Sequence, residues 1–285
     1  MKRMFIFGLG YTAARIADAL ATQGWEVIST GRAGTLAFDD DGNVRAALAD
    51  ADHVLSSVPP GGDGIEPVLD RYGAALGGKW LGYLSSTGVY GDTGGAWVDE
   101  TAPTGTGRRT ARADADAAWL ARGARVLRLP GIYGPGRSAL ERVAEGKAHR
   151  IDLPGQVFSR VHVDDIVAGT VAALTAPTGA YNLADNEPCS QNAVIEEACR
   201  LLRLAPPPLR SLEDAALSPM ARAFYAENRR VANRKARREL GWSPRYPSYR
   251  EGLRSLGSEV YLRPDSAISS PVIARTEPPM ASAPQ

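Results

Sequence analysis

The chain has 285 residues, of which 44% are hydrophobic and 23% are charged, and its formal net charge is +1 at pH 7. This balance is typical of a globular α/β protein and creates no global attraction to nucleic acid or to an anionic membrane. Two cysteines are too few for a disulfide framework or a zinc site, and no apolar run approaches the ~20 residues of a membrane span. We therefore expect a cytoplasmic protein with no nucleic-acid, membrane or metal ligand.

Strand-like and helix-like segments alternate through the first two thirds of the chain. Strands are predicted from short apolar runs at residues 4–7, 25–30, 53–58, 80–85, 125–129 and 181–184. Helices are predicted at residues 11–23, 65–76, 163–174 and 192–204. This alternation predicts a doubly wound, Rossmann-like parallel sheet with helices on both faces.

A glycine turn, GLGYTA at residues 8–13, follows the first predicted strand and opens the first predicted helix. Gly8 permits a sharp turn, Gly10 lets a diphosphate approach the backbone, and Ala13 lets the helix pack close to the sheet. The free N–H groups at the helix start then face the anion. We predict that Gly8, Gly10, Tyr11, Thr12 and Ala13 bind a dinucleotide cofactor. The alternative is a tight turn without a ligand.

The end of the second predicted strand carries no carboxylate. NAD-binding folds place an acid roughly 20 residues beyond the glycine turn, where it binds the ribose hydroxyls. Here Thr30 and Arg32 occupy that position, and a guanidinium with a hydroxyl suits the 2′-phosphate of NADP. We therefore predict NADP as the cofactor in preference to NAD. The alternative is that Arg32 points into solvent.

Further motifs follow in chain order: LSSTGVYG at 84–91, LRLPGIYGPGR at 127–137, VHVDDI at 161–166, YNLA at 181–184 and RRELGW at 237–242. With the glycine turn they cover roughly residues 1–255. On these motifs the chain resembles an extended short-chain dehydrogenase/reductase of the NAD(P)-dependent epimerase/dehydratase family. The resemblance implies an α/β, Rossmann-like doubly wound parallel sheet with a smaller C-terminal substrate lobe.

The domain boundaries combine the resemblance with composition. We predict a single NAD(P)-binding domain at 1–257, with its nucleotide-binding part at about 1–135 plus 160–185 and the substrate lobe in the remainder. Residues 258–285 are rich in Ser, Pro and Ala without periodicity, which predicts a poorly ordered tail. Relatives often pair through helices, so a homodimer is a further expectation.

The resemblance also implies site residues by position. Beyond the glycine turn, it assigns cofactor binding to Ser57, Val58, Ser85, Arg112, Pro130, Gly131 and Ile132. The catalytic residues that it implies are Ser86 and Thr87, which would hydrogen-bond the substrate oxygen, together with Arg112. The residues that it implies on the substrate side are Tyr90, Arg108, Tyr133, Arg137 and His162. For Tyr90 the alternative is packing beneath its loop, and for His162, inside a Val-His-Val run, it is a structural role.

The sequence departs from the family at the catalytic pair. The family carries a tyrosine and, four residues later, a lysine; the matching register here sets Arg108 in the tyrosine slot, Arg112 in the lysine slot and Asp116 in a following acidic slot. Arginine stays protonated, so Arg108 cannot act as a general base. Arg112 can still supply a positive charge and hydrogen bonds to a ribose.

Two functions remain open on this evidence. The first is an NADP-dependent oxidoreductase or epimerase-like enzyme acting on a small polar or nucleotide-sugar-like substrate. The second is a non-catalytic NADP(H)-binding redox sensor or partner-binding protein, which accounts for the absent tyrosine. A basic cluster between Arg229 and Arg238 is interpreted either as a solvated helix face or as a contact for substrate phosphates.

Overall fold

The computed structural model of the chain describes residues 2–107, 110–215, 217 and 219–261. Its strands are β1 (Arg3–Phe7), β2 (Glu26–Ser29), β3 (His53–Ser56), β4 (Trp80–Ser86), β5 (Trp97–Val98), β6 (Arg125–Leu129), β7 (Gly131–Tyr133), β8 (Arg150–Ile151), β9 (Arg160–His162), β10 (Gly179–Asn182), β11 (Leu209–Arg210) and β12 (Arg230–Val231). Its helices are α1 (Tyr11–Thr22), α2 (Asp41–Asp50), α3 (Pro67–Tyr72), α4 (Thr110–Ala121), α5 (Ala139–Ala144), α6 (Val163–Ala173), α7 (Gln191–Leu202), α8 (Pro219–Phe224), α9 (Arg234–Glu239) and α10 (Tyr249–Tyr261).

The main sheet is parallel and has the strand order β10-β6-β4-β3-β1-β2. The chain runs from β1 to the edge strand β2, crosses back to β3 and then winds toward the opposite edge. The winding direction therefore reverses between β1 and β3, and ligands of such sheets bind beyond the carboxyl ends of the strands at this reversal. The predicted doubly wound, Rossmann-like fold is confirmed.

Helices cover both faces of this sheet. On one face Ile16 and Leu20 of α1, four residues apart, pack with Ile166 of α6 in a single buried cluster. On the other face Val44 of α2 and Trp119 of α4 belong to a second buried cluster. Each face thus removes a continuous apolar surface from water, which is the main driving force for this layered arrangement.

The smaller lobe is built around its own apolar cluster. Leu140 of α5, Ile195 of α7 and Leu253 of α10 are each at most 1% exposed and pack together. Two-stranded pairs, β7 with β9 and β12 with β5, connect this lobe to the loops beyond the main sheet. The lobe therefore stands over the carboxyl ends of the strands.

Local differences from the predicted elements have local causes. The strand predicted at 181–184 begins and ends two residues earlier, at Gly179–Asn182. Helix α2 was not predicted, because its acidic start has the composition of a turn; Asp40 in fact caps it by accepting a hydrogen bond from the Asn43 N–H at 3.3 Å.

The end of the described chain continues α10 through residues 258–261. The rest of the predicted tail, like Arg108, lies outside the described residues. In the part of the chain that the structure describes, every helix is too short or too polar to cross a lipid bilayer.

Candidate functional site

A cavity of about 530 Å³ opens at the carboxyl ends of the strands on either side of the winding reversal. The residues that were predicted from the sequence and that line it are Gly10, Tyr11, Thr12, Ala13, Ser57, Ser85, Ser86, Thr87, Arg112, Pro130, Gly131, Ile132 and Arg137. Gly8, Thr30, Arg32, Val58, Tyr90, Tyr133 and His162 lie outside this lining. Cofactor-side and substrate-side positions that are far apart in the sequence thus meet in one cavity.

The glycine turn is held between the ends of β2 and β3. Gly8 has a φ of 82°, and a Cβ there would lie 2.9 Å from the Val58 side chain. The Gly8 N–H donates to the Thr30 hydroxyl at 3.2 Å, and the Ser57 hydroxyl donates to the Gly8 carbonyl. Val58 therefore supports the turn from beneath, and only glycine fits above it without strain.

The start of α1 is open toward the cavity. Gly10 is the N-cap residue, no side chain caps the helix, and a Cβ at Gly10 would meet no atom within 4 Å. The first N–H groups of a helix have no partners inside the helix, and the helix dipole makes this end electropositive. These residues fit the diphosphate of a dinucleotide, since they provide unshielded donors and free space at the same point.

Thr30 does not have its predicted role. Its side chain is only 1% exposed, and its hydroxyl accepts the Gly8 hydrogen bond described above. It therefore fixes the turn and does not face a phosphate. Arg32 is exposed and follows Gly31, whose φ is 124° and whose Cβ would lie 3.1 Å from the Leu9 N–H nitrogen. Arg32 therefore lies just beyond the end of β2, beside the glycine turn.

The opposite wall of the cavity contains Ser86, Thr87 and Arg112. Ser86 ends β4, and its hydroxyl accepts a hydrogen bond from the Gly88 N–H at 3.1 Å. Thr87 is 4% exposed, and Arg112 reaches the cavity from α4. The nearby Tyr83 is fully buried in a stack with Trp119 at 5.4 Å, and burial raises its pKa to about 12. Tyr83 therefore belongs to the core.

Ser85 belongs to a buried polar network that reaches beneath the cavity. Its hydroxyl donates to Asp116 at 2.6 Å, and Asp116 forms an ion pair with Arg128 at 2.7 Å. The side chains of Asp116 and Arg128 are 1% and 4% exposed. The Ser85 hydroxyl thereby donates to α4, while the residue lines the cavity at its predicted position. The signal for this network was a charged residue inside the apolar strand β6.

Tyr90 continues the same network. Its hydroxyl donates to the Asn182 side chain at 2.8 Å and accepts from Arg128 at 3.0 Å, and the residue is 1% exposed. Burial favours a lower pKa for Arg128, but its hydrogen bonds to Asp116 and Tyr90 outweigh this effect and raise the pKa. The predicted substrate role of Tyr90 is not supported, because both of its bonds point away from the cavity lining.

His162 has a structural position. It is 1% exposed, its Nδ1 accepts from the Asp164 N–H at 3.2 Å, and its ring packs against Tyr133 and Tyr246. Burial lowers its pKa, so the ring is neutral at physiological pH. The predicted substrate role of His162 is therefore replaced by capping of α6.

Tyr133 and Arg137 line an adjoining cavity of about 400 Å³. Arg137 also lines the main cavity, so the two cavities are adjacent at this residue. Burial raises the pKa of Tyr133, whose hydroxyl has no hydrogen-bond partner within the described residues. Tyr133 stays protonated at neutral pH, and its buried hydroxyl packs against Gly252 of α10.

The lobe supplies further cavity residues, of which Arg229 belongs to the basic cluster noted in the sequence and the others were not predicted. Phe158 and Phe224 stack at a centroid distance of 4.8 Å and form an apolar wall. Arg229 donates to the Gly91 carbonyl at 2.6 Å and pairs with Glu227 at 2.9 Å. These residues lie far along the chain from the glycine turn, so only the folded chain brings them to it.

A solved structure of a functionally unknown conserved protein from Silicibacter pomeroyi DSS is 40% identical to this chain. The match covers 91% of this chain and 99% of that protein, with a TM-score of 0.81. The chain belongs to that protein's family.

The family has the fold of the NAD-dependent epimerase/dehydratase enzymes. dTDP-glucose 4,6-dehydratase from Bacillus anthracis str. Ames, solved with NAD, matches with 15% identity, 93% and 98% coverage of the two chains and a TM-score of 0.72. The human epimerase family protein SDR39U1, solved with NADPH, matches with 16% identity, 90% and 99% coverage and a TM-score of 0.70. The resemblance of the sequence to extended short-chain dehydrogenase/reductases of this kind is confirmed.

Two curated relatives extend the comparison. Protein YeeZ of Escherichia coli (strain K12) is 27% identical over 87% of this chain and 97% of its own length. A 3-diazoavenalumate denitrifying reductase from a Streptomyces species is 37% identical over 140 residues, and that match spans 45% of each protein. This chain therefore aligns with less than half of the Streptomyces reductase. No family model matches the chain.

A buried acid in this family member predicts a pH-dependent stability. Asp185 is 2% exposed, and burial raises its pKa to about 7, against ~3.9 in an unfolded chain. A raised folded-state pKa stabilises the fold below the unfolded pKa, and this contribution is lost as the pH rises through 7. We expect the free energy of unfolding of the wild type to fall by about 4 kcal/mol between pH 4 and pH 8, relative to that of Asp185→Asn.

Urea unfolding of both proteins across this pH range measures the difference. Asp18→Asn, a substitution at an exposed acid on α1, serves as the matched control and should follow the wild type at every pH. If the free energies of unfolding of the wild type and Asp185→Asn changed in parallel with pH, ionisation of the Asp185 carboxyl would not destabilise the fold, and the prediction would be wrong.

Proposed function

We propose that this protein is an NADP(H)-dependent oxidoreductase or epimerase-like enzyme acting on a small polar or nucleotide-sugar-like substrate. The observation that carries the proposal is one cavity in which the open start of α1 faces Ser86, Thr87 and Arg112. Two structures of the same fold were solved with NAD and NADPH, and the Streptomyces relative is named a reductase. These names support a hydride-transfer role for this chain.

Each wall of the cavity has a distinct task in this proposal. The coenzyme, when bound, supplies or accepts a hydride. The N–H groups at the start of α1 hold its diphosphate, and Arg112 donates hydrogen bonds to its ribose. Ser86 and Thr87 hydrogen-bond the substrate oxygen, and an ordered water carries the proton that a tyrosine carries elsewhere in the superfamily.

The preference for NADP rests on Arg32. It is exposed beside the glycine turn, and a guanidinium that pairs with a phosphate contributes roughly 1.5–3 kcal/mol. We expect Arg32→Ala to weaken NADPH binding by about 10- to 100-fold and to change NADH binding by less than about twofold. Calorimetric titration with both coenzymes measures this. Equal losses for the two coenzymes would contradict the assignment to the 2′-phosphate.

Turnover is tested by following NADPH absorbance with a panel of nucleotide sugars, aldehydes, ketones and aryl diazo compounds. With a turned-over substrate, Ser86→Ala is expected to lower kcat by about 100-fold or more, as the loss of an oxygen-stabilising donor does in other enzymes. NADPH affinity should be unchanged. Ser211→Ala, which alters a half-buried serine of the lobe outside both walls of the cavity, serves as the matched control.

The second candidate function is a non-catalytic NADP(H)-binding sensor or partner-binding protein. It is favoured by the arginine that replaces the catalytic tyrosine at position 108, because arginine cannot exchange a proton at physiological pH. Tight NADPH binding with no turnover of any compound in the panel would support this second function over the enzyme.

A further inference from the structure

A second, larger cavity of about 1340 Å³ lies away from the proposed coenzyme site. It is bounded by the β5–β12 pair, the loop after β10 and helix α9. The only residue that lines both cavities within the described chain is Val231, which is 1% exposed. The second cavity is therefore a separate space behind β12, and its volume exceeds the usual range of about 300–1,000 Å³ for small-molecule sites.

Helix α9 places the guanidinium groups of Arg234 and Arg237 at this cavity without an ion-pair partner among the described side chains. Arg234 and Arg237 are exposed, three residues apart on the helix, and no described side chain pairs with either of them. The other two cationic side chains of this helix face have partners: Lys235 donates to the Ala180 carbonyl at 2.9 Å, and Arg238 forms an ion pair with Glu239 at 2.9 Å. Paired arginines on one helix face are suited to a phosphate group.

The acids in the lining make their close contacts with groups other than these two arginines. Glu100 accepts a hydrogen bond from the Asn182 N–H at 2.6 Å, and Asp99 accepts from the Thr101 N–H and hydroxyl at 2.9 and 2.6 Å. Glu239 is taken up by its ion pair with Arg238. The part of the basic cluster from Arg234 to Arg238 thus faces this second cavity, and no described acid forms an ion pair with Arg234 or Arg237.

An aromatic platform stands at the mouth of the cavity. Trp97 on β5 lines it and is 60% exposed, the highest exposure among the large hydrophobic side chains of the described chain. An indole normally loses most of its surface on folding, so this one provides apolar area for a ligand. A flat heteroaromatic ring is the group that stacks best on it.

The third feature of this cavity is a buried carboxyl oxygen without a hydrogen-bond donor. Asp185 lines the cavity although it is 2% exposed, and its Oδ1 accepts from the Glu187 N–H at 3.2 Å. Its Oδ2 has no hydrogen-bond partner among the described residues. A buried acceptor without a donor costs free energy, and a hydroxyl donated by a ligand would remove that cost.

We propose that this second cavity binds a 5′-nucleotide. The base stacks on Trp97, the phosphates pair with Arg234 and Arg237, and a ribose hydroxyl donates to Asp185. A nucleotide carries the ring, the anion and the hydroxyl donor in one molecule, whereas inorganic phosphate lacks the ring and the ribose hydroxyl and a nucleoside lacks the anion. The site is independent of the proposed coenzyme function.

The test is titration with ADP of the full-length protein carrying Gly10→Leu, because this side chain would fill the space for a diphosphate at the start of α1 and lies outside the second cavity. We expect one ADP per chain to bind and to quench tryptophan fluorescence. Trp97→Ala should weaken ADP binding by about tenfold or more, because stacking on one base contributes roughly 1–3 kcal/mol, whereas Trp97→Phe should retain most of it. The double substitution Arg234→Ala with Arg237→Ala should weaken it to a similar extent, and Asp185→Asn should weaken it less.

The controls separate this site from the coenzyme site. Arg210→Ala, at an exposed arginine on β11, should leave ADP binding unchanged when it is added to the Gly10→Leu protein. No ADP binding to the Gly10→Leu protein, or ADP binding unaffected by the added Trp97 and arginine substitutions, would overturn the proposal. Pyrophosphate binding as tight as ADP binding would overturn it as well. The variants decide this question even for a protein that does not bind NADPH.

Discussion

Gly10→Leu is expected to weaken NADPH binding by about 100-fold or more, because the side chain would occupy the space in which a helix start accepts a diphosphate. The folded protein has room for it: Gly10 has a φ of −93°, and nothing lies within 4 Å of a Cβ there. Stability should therefore fall by only about 1 kcal/mol, the usual cost of a poor N-cap residue. Calorimetric titration with NADPH and urea unfolding measure the two effects.

Gly42→Leu is the matched control for this substitution. Gly42 lies on α2, and a Cβ there also meets nothing within 4 Å. We expect this variant to bind NADPH like the wild type. If Gly10→Leu kept full affinity while remaining folded, the coenzyme could not lie against the start of α1, and the proposed function would lose the observation that carries it.

Asp116→Asn is expected to reduce the free energy of unfolding by about 3–5 kcal/mol, the typical cost of leaving a buried charge without its partner. Asp116 receives hydrogen bonds from Ser85 and Arg128, and the ion pair is almost completely buried. The asparagine removes the negative charge and leaves the Arg128 guanidinium in an apolar strand. Urea unfolding at pH 7, followed by circular dichroism, measures this loss.

Two further variants test the reason for this loss. Glu145→Gln removes the exposed pair with Lys147, in which the side chains are 54% and 72% exposed, and should cost less than about 1 kcal/mol. Asp116→Leu combined with Arg128→Met should be more stable than Asp116→Asn, because it leaves no buried charge. If the double variant were the less stable protein, the network would contribute through its hydrogen bonds rather than through charge compensation.

This network also explains the acidic residue at position 116. The resemblance places Asp116 in an acidic slot next to catalytic residues. Asp116 is buried and forms an ion pair with Arg128, so its role here is structural. Arg128 joins Asp116 on α4 to Tyr90 after β4, and Tyr90 joins Asn182 on β10. The network therefore ties helix α4 to three neighbouring strands, and it holds Arg112 on the same helix at the cavity.

The sequence by itself determined the doubly wound fold and the glycine turn. Both depend on local patterns: apolar runs of strand length, helical periodicity, and the spacing of Gly8 and Gly10 between a strand and a helix. Such patterns act over about ten residues, so the surrounding structure has little influence on them. The alternation of elements then leaves few permitted topologies, because crossovers between parallel strands are right-handed.

Only the tertiary structure decided which polar side chains of the motifs face the cavity. Thr30, Ser85 and Tyr90 turn inward because their partners come from other elements: Gly8 is 22 residues from Thr30, Asp116 is 31 from Ser85, and Asn182 is 92 from Tyr90. The same holds for Phe224 and Arg229, which reach the cavity from the lobe. A buried polar group must find a hydrogen-bond partner, and the identity of that partner depends on long-range packing that no local pattern contains.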